Sequence, residues 1–538
     1  LATSLSNSFG ENMILGIHDG HNASASLIDS NGIKYAISEE RFTRKKNQRG
    51  FPKNSIEYIL NSLENTGSNE NSNIDLITVG GVFRKGGRLK DLKRFQEKIQ
   101  VPMLYFNHHL CHASLYQLSE FKECLSITID GGGDGFSSTV SIGTKKGLEI
   151  IAQSDLIDSV GDFYASITEL LGFKPMEDEG KVMSLSGYDC EGVTYDYDLK
   201  ILDYNEKTKS FKNYLGTVGY EATKALKRIF NYSGSWDEKV SISKFAQKTL
   251  EDTVLKLIKS LVHETGIENI VFSGGVAQNV KLNKVIRENV GEIFIPPFMG
   301  DEGLSIGSSL LLDNAKFNKS NIILKDTYLG YEIKNEDITI NSTGLNNNLN
   351  YKITYLEEEE IPEVVGDLIT SNKIVCVCRG RMEFGPRALG NRSILALPTK
   401  ENAIKIGKML KRDLFMPFAP TILYDYVNDY LENPSYSPFM TMLFDVKENK
   451  EKMSNINDIS GVVHKDNTTR PQTLKKDFNS TYYGVISHVY ESKDIPMVLN
   501  TSFNLHGEPI VCNEKDAIRS FKKVGDALLL GNYLIEKN

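Results

Sequence analysis

The chain has 538 residues, 40% of them hydrophobic and 25% charged, with a formal net charge of −8, so it is a globular protein with room for three or four domain-sized units. The acidic balance argues against an extended basic surface for nucleic acid, and no apolar run approaches membrane-spanning length. Six cysteines (Cys111, Cys124, Cys190, Cys376, Cys378, Cys512) show neither C-x-x-C nor disulfide-framework spacing, which fits a reducing cytosol and a cytoplasmic location.

The opening "LATSLSNSFGEN" lacks the charged start and apolar core of a secretory signal. Met13 reads as the natural start, with residues 1–12 a remnant or a short extension. From Ile14 the chain reads as an apolar strand, a tight Gly-containing turn at "HDGHNAS", a second alternating strand and a hairpin return. The same order recurs from Leu125, "LSITIDGGGDGFSSTVSIG", about a hundred residues on, a domain-sized duplication rather than a solenoid repeat.

Between the copies, "HHLCHA" at 108–113 holds three of the nine histidines. If the segment is helical, His108 and His112 lie one above the other on one face, which is metal-ligand spacing. For such a pair alone, a satisfied histidine cluster is the alternative, so carboxylates must join it from elsewhere. Asp130 in "TIDGGGDG" and Asp301 in "MGDEGLSIG" are expected at strand ends, entering Gly-rich turns where a carboxylate can project into a cleft. Each alone reads as a turn cap; with the histidines they make a His2Asp2 set suited to Fe(II), Zn or Mn better than Mg or Ca.

Ile242, Phe245, Ala246, Leu250, Val254, Leu257, Ile258, Leu261 and Val262 predict one amphipathic helix over 242–262. It leads into "NIVFSGGVAQNVKLN", where a strand ending in Ser273-Gly274-Gly275 meets a helix start and offers bare N–H groups to a phosphate or nucleotide. Residues 331–360, polar and Asn-rich, read as a domain junction or exposed hairpin. A second unit starts near 361 with the strand "KIVCVC", whose two cysteines alternate as buried strand residues do, and a helix from about 400. Arg379, Arg381, Arg387 and Arg392 fall in fourteen residues, followed by Lys411, Arg412 and Arg470. Guanidinium groups on a stiff loop can fork onto phosphate or carbamate oxygens. A solvated basic loop is the alternative, and the interleaved Gly, Pro386 and Phe384 favour a buried, shaped one.

The stretches "GIHDGHNASASL", "EERFTRKK", "NHHLCHA", "DGGGDG", "FYASITELLGF", "EDEGKVMSLSGYD", "SGGVAQNVKLN", "GDEGLSIG", "GRMEFGPRALGNRSI", "MPFAP", "HKDNTTRPQT" and "NTSFN" run in order over residues 14–512. Together they resemble the NodU/CmcH family of O-carbamoyltransferases. The resemblance implies an α/β chain: a duplicated actin/hexokinase-type (ASKHA) domain at 13–335, similar to threonylcarbamoyl-transfer enzymes, and a YrdC-like domain at 336–538. The second domain turns carbamoyl phosphate and ATP (as Mg-ATP) into carbamoyl-adenylate, and the first passes the carbamoyl group to an acceptor hydroxyl.

By residue, the resemblance makes His108, His112, Asp130 and Asp301 the metal ligands and His21 the base at the transfer site. Gly131, Gly274, Gly275 and Asn279 fall in its nucleotide loops, and Glu179 is placed, on chemical grounds more than on the match, against ribose hydroxyls. Arg387, Lys411, Arg412, Arg470, Asn500 and Ser502 form the carbamoyl phosphate and ATP set. The chain departs from the family at Asn22, where Asp is frequent, and at Lys411, which directly precedes Arg412. His18 and His109 stand beside the assigned histidines as possible substitutes.

Expected partners are carbamoyl phosphate, ATP and a small-molecule hydroxyl acceptor such as a sugar or antibiotic, with no nucleic acid or membrane, in a monomer or homodimer. Region 185–240 is the most individual stretch and is expected to shape the acceptor pocket. The competing readings are carbamoyl-type transfer to tRNA and a non-catalytic nucleotide-binding scaffold. The second predicts no use for the metal set or the arginine loop.

Overall fold

The computed structural model describes residues 13–64, 74–83, 87–191, 199–316, 322, 324–338, 351–447 and 459–538. The expectations about residues 1–12, and those parts of the acceptor region and domain junction at 192–198 and 339–350, lie outside the described residues.

The first sheet contains β1 (Met13–His18), β2 (Ser24–Asp29), β3 (Gly32–Ser38), β4 (Ile74–Gly80) and β5 (Met103–Phe106), in the order β3-β2-β1-β4-β5. The second contains β6 (Glu123–Gly133), β7 (Phe136–Thr144) and β8 (Gly147–Asp155). After the hairpin β9 (Leu202–Asn205) and β10 (Ser210–Asn213) it adds β11 (Ile270–Ser273) and β12 (Ile293–Phe294), giving β12-β11-β6-β7-β8. Each is an antiparallel three-strand meander whose first strand takes a parallel partner, β4 beside β1 and β11 beside β6. The duplication read from the two hairpins is therefore carried by whole sheets, as the actin/hexokinase-type arrangement requires.

Helix Leu304–Lys316 fixes the two halves together. Gly16 of β1 lets its backbone come so close that a Cβ there would stand 2.0 Å from Ser305 O, and Gly307 does the same against Cys111 O. Small hydroxyl residues replace apolar bulk in this seam: Ser24 Oγ donates to Glu302 O at 2.8 Å, and Thr78 Oγ1 lies 2.9 Å from Ser309 Oγ. The expected amphipathic helix runs Trp236–Thr265, closed by a Ser235/Glu238 capping box and by Gly266 in the left-handed region. No helix among the described residues is long and apolar enough to cross a membrane.

The remaining strands are β13 (Tyr328–Ile333), β14 (Tyr351–Tyr355), β15 (Val375–Cys378), β16 (Gly380–Glu383), β17 (Arg392–Ala396), β18 (Ala419–Leu423), β19 (Phe444–Asp445), β20 (Thr468–Thr469), β21 (Gln472–Leu474), β22 (Met497–Ser502), β23 (Ala527–Leu530) and β24 (Tyr533–Lys537). Eight of them form one mixed sheet, β14-β24-β23-β15-β17-β22-β18-β21. Along β15 the side chains alternate between two cores. Val375 and Val377 pack with helices Ile361–Thr370 and Ser480–Lys493, and Cys376 and Cys378 with Ile406 and Phe521 on the opposite face.

Arginines bind the units to each other through backbone carbonyls. Arg41 Nη2 donates to Gly385 O at 3.0 Å, Arg44 to Ile510 O and Pro509 O at 2.7 and 2.6 Å, and Arg381 to Lys34 O and Leu329 O at 2.6 and 2.7 Å. β13 pairs with β16 across the same seam.

Candidate functional site

His108 and His112 lie on the short helix His108–Ala113, whose start is fixed by Asn107, its side chain accepting from His109 N and Leu110 N. The His108 Nε2 is 3.2 Å from Asp130 Oδ2 and 3.6 Å from Asp301 Oδ1; for His112 Nε2 the distances are 3.2 and 3.4 Å. Ligand atoms about 2.1 Å from a shared ion stand about 3.0–3.4 Å from one another, so these separations match the edges of a coordination polyhedron. His112 is wholly buried, and its Nε2 makes no well-aligned hydrogen bond to the carboxylates beside it, a state that an ion held by that nitrogen would relieve. Burial alone lowers the His112 imidazolium, and the carboxylates of Asp130 and Asp301 reverse this and raise it to about 9. The donor set fits a divalent transition metal. Asp130 sits within β6, at an irregularity in its pairing with β7, whereas Asp301 does not end a strand: it opens a single 3-10 turn leading into helix Leu304–Lys316.

Asp134, which the sequence reading did not single out, organises this corner. Its carboxylate accepts from His108 N at 2.7 Å, Val82 N at 2.7 Å and Phe83 N at 2.8 Å. It thereby ties the ligand helix to the loop bearing exposed Val82 and Phe83. Only its place in a Gly-rich turn hinted at this, since its partners are 26 to 52 residues away.

His21 lines the cavity beside these groups, and burial lowers its imidazole from the usual range, partly offset by Asp301. Of its neighbours, His18 braces the turn, with Nε2 3.0 Å from His21 O and Nδ1 3.3 Å from Gly80 O. His109 Nε2 instead donates to Phe136 O at 2.9 Å, outside the cavity. Asn22 adopts a φ of 56°, a conformation the short polar side chain tolerates.

Gly131, Glu179, Gly275 and Asn279 also line the cavity, and Gly274 does not. Gly274 has φ of 89°, and a Cβ there would lie 2.3 Å from Ile129 O, so it lets the loop cross β6. The Asn279 side chain caps helix Val280–Asn289 by accepting from Leu282 N and exchanges bonds with Gln247, which commits its amide to structure. Glu179 accepts from Met176 N, and burial raises its carboxyl.

In the second unit, Arg387, Arg412, Arg470 and Ser502 face the same cavity. Among the described residues no carboxylate forms an ion pair with any of the three arginines. Burial lowers Arg387 to about 10, with Glu302 acting against it; burial and then Arg387 lower Arg412 to about 10; burial and both other guanidiniums lower Arg470 well below its ordinary value. The other arginines of the loop are structural. Arg392 is fully buried and donates to carbonyls of Cys512, Arg379, Asn391, Tyr331 and Gly380; Arg379 pairs with Glu358 at 2.6 Å.

Two expected members of this set are not in the cavity wall. Lys411 is exposed, in a left-handed turn (φ 51°) that follows helix Lys400–Met409, whereas Arg412 lines the cavity. Asn500 is 2% exposed within β22 and donates to Ala388 O at 3.2 Å, steadying the residue after Arg387. Both groups of residues, from the metal corner to the arginines, border one cavity of about 1300 Å³.

Comparison with known proteins gives the family. Residues 72–310 match the Carbamoyltransferase N-terminus family and residues 366–537 the Carbamoyltransferase C-terminus family. An uncharacterized protein of Methanocaldococcus jannaschii, MJ1051, is 62% identical, over 98% of this chain and all of that protein. Nodulation protein NolO of Bradyrhizobium diazoefficiens is 30% identical, over 80% of this chain and 79% of that protein. A solved structure of T. kodakarensis HypF is 14% identical, with a TM-score of 0.38 over 60% of this chain and 51% of that one. The chain belongs to the carbamoyltransferase family, in its NodU/CmcH branch, and is a carbamoyl-transferring enzyme.

Proposed function

We propose that the protein is an ATP-dependent O-carbamoyltransferase that makes carbamoyl-adenylate beside its arginine cluster and uses it beside the His2Asp2 corner. The observation that carries the reading is the single cavity bordered by both sets of residues. In the first centre, carbamoyl phosphate, ATP and one water yield carbamoyl-adenylate, phosphate and pyrophosphate. Arg387, Arg412 and Arg470 offer only N–H donors to these anions, and Ser502 adds a hydroxyl.

A mixed carbamic–phosphoric anhydride hydrolyses readily, so passage within the protein preserves it. In the second centre, the acceptor hydroxyl attacks the carbamoyl carbon, its proton moves to a ring nitrogen of His21, and the C–O bond to AMP breaks. Burial keeps His21 neutral and able to take that proton. His108, His112, Asp130 and Asp301 would hold Fe(II), Zn or Mn, which supplies Lewis-acid stabilisation of developing negative charge.

Region 185–240 meets the second unit at Tyr188, whose hydroxyl donates to Phe415 O at 3.4 Å, which supports a part for it in shaping the acceptor pocket. The domains we assign are 13–335 for transfer and 336–538 for adenylate formation. The test is incubation with carbamoyl phosphate, Mg-ATP, a divalent transition metal and a panel of hydroxyl acceptors. Mass spectrometry then follows carbamoyl-adenylate and carbamoylated product. Release of pyrophosphate that does not depend on carbamoyl phosphate would overturn the reading.

A further inference from the structure

Carbamoyl phosphate has many acceptor oxygens and one donor group, its NH2. The three arginines beside it in the reading above are donors only, so a site that distinguishes carbamoyl from other acyl phosphates needs an acceptor as well. We propose that His464 is that acceptor and so determines the preference for a carbamoyl group, an inference that rests on carbamoyl phosphate binding at the arginine cluster.

His464 borders the same cavity as Thr468, Thr469 and Arg470. Its Nδ1 is 2.7 Å from Asp466 Oδ1. An ionised carboxylate only accepts, so Nδ1 carries a proton, and in the neutral ring Nε2 is then the bare nitrogen. The residue is 8% exposed, and Nε2 has no hydrogen-bond partner, which is costly for a buried acceptor unless a ligand supplies the donor.

The surroundings hold the ring in this orientation. Asp466 also accepts from Thr468 Oγ1 at 2.6 Å and from Lys281 Nζ at 2.7 Å, and Lys281 donates in turn to Ser186 Oγ at 3.0 Å. The Tyr188 ring stands edge-on at 5.7 Å, and Gly187 leaves no space for a side chain, since a Cβ would lie 2.3 Å from His464 Cε1. Two backbone bonds close the loop, His464 N to Thr468 O at 2.8 Å and Asn467 N to His464 O at 3.0 Å. Arg470 follows Thr468 by two residues, on the same side of an extended chain. The imidazole is thus held by both units within a side-chain length of the strand that delivers Arg470. Glu302 offers another unpartnered acceptor along the cavity, Oε1, and its charge acts on Arg387, but an ionised carboxylate would repel the phosphate, as a neutral imidazole does not.

The experiment follows carbamoyl-phosphate-dependent pyrophosphate release by the full-length protein, with acetyl phosphate, which has CH3 in place of NH2, as competitor. In His464→Leu the KM for carbamoyl phosphate should rise about 10- to 100-fold. The inhibition constant of acetyl phosphate should stay within about twofold. His464→Gln, which keeps a side-chain acceptor, should recover most of the loss. Asp466→Asn can donate to Nδ1 and move the ring proton to Nε2, so it should raise the same KM and serves if the Leu protein does not fold. An equal weakening of both phosphates means that His464 only braces the loop, and an unchanged KM means that it has no part; either overturns the inference. Wild-type protein that makes no adenylate from carbamoyl phosphate overturns the parent reading first, and this one with it.

Discussion

At the corner formed by His108, His112, Asp130 and Asp301, two carboxylates meet two imidazoles at 3.2–3.6 Å, so each charge has an opposite beside it. In the same cavity, Arg387, Arg412 and Arg470 interact with one another and, among the described residues, form no ion pair with a carboxylate. The first centre gathers donors that could hold a cation. The second stores like-charge repulsion, which a bound anion removes. A protein that keeps such repulsion in a cavity is organised for a polyanion there, because charges placed only for stability are paired.

The largest expected effect breaks the comparison at its chemical end. His21→Asn should lower acceptor carbamoylation by about 10²- to 10⁴-fold, the usual cost of losing a general base, while consumption of ATP and carbamoyl phosphate continues. Burial lowers the His21 imidazole, so the charged form is lost below its ordinary value of 6.5. The transfer rate of the wild type should accordingly rise with pH through a window under that value and be level above it, as a pH–rate profile will reveal.

Arg470→Ala should reduce adenylate formation by about 10²- to 10³-fold but leave transfer from supplied carbamoyl-adenylate largely intact. The same change should raise the melting temperature of the ligand-free protein by about 1–3 °C, because it relieves repulsion. Phosphate should stabilise the wild type more than the variant in the same calorimetric scans.

Metal analysis tests the opposite pole: His112→Ala should weaken retention of a transition metal at least about a hundredfold after chelator-free purification. Asp134→Ala releases three backbone donors, and transfer should fall about tenfold with adenylate formation unchanged. The smallest effect is that of Lys411→Ala, because the wild-type cation, though next to Arg412 in sequence, is exposed to solvent. Its pyrophosphate release should stay within about twofold of wild type.

Much of the fold could be read locally, because a strand, a Gly turn and a hairpin return occupy adjacent residues, as they do from Ile14 and again from Leu125. The clustering of His108, His112, Asp130 and Asp301 was also legible, since spacing of four on a short helix and acids in Gly-rich segments are local signals. The use of each arginine was not. Arg381 and Arg392 look no different in sequence from Arg387, yet they end on carbonyls of Lys34, Leu329, Tyr331 and Cys512. Those partners come from distant chain, as do the backbone groups held by Asp134 and the Lys281 that fixes Asp466. A side chain's role in this protein is decided by which remote backbone reaches it first.

The order of the ligands along the chain has a consequence for synthesis. His108, His112, Asp130 and Asp301 all precede the residues that close the cavity opposite them, among them Gly385 and the 506–510 segment near the C-terminus. N-terminal units fold first as a chain emerges from the ribosome. The four residues are therefore all made while more than two hundred residues are still to come, so a metal would have access to them before Arg44 takes the carbonyls of Pro509 and Ile510.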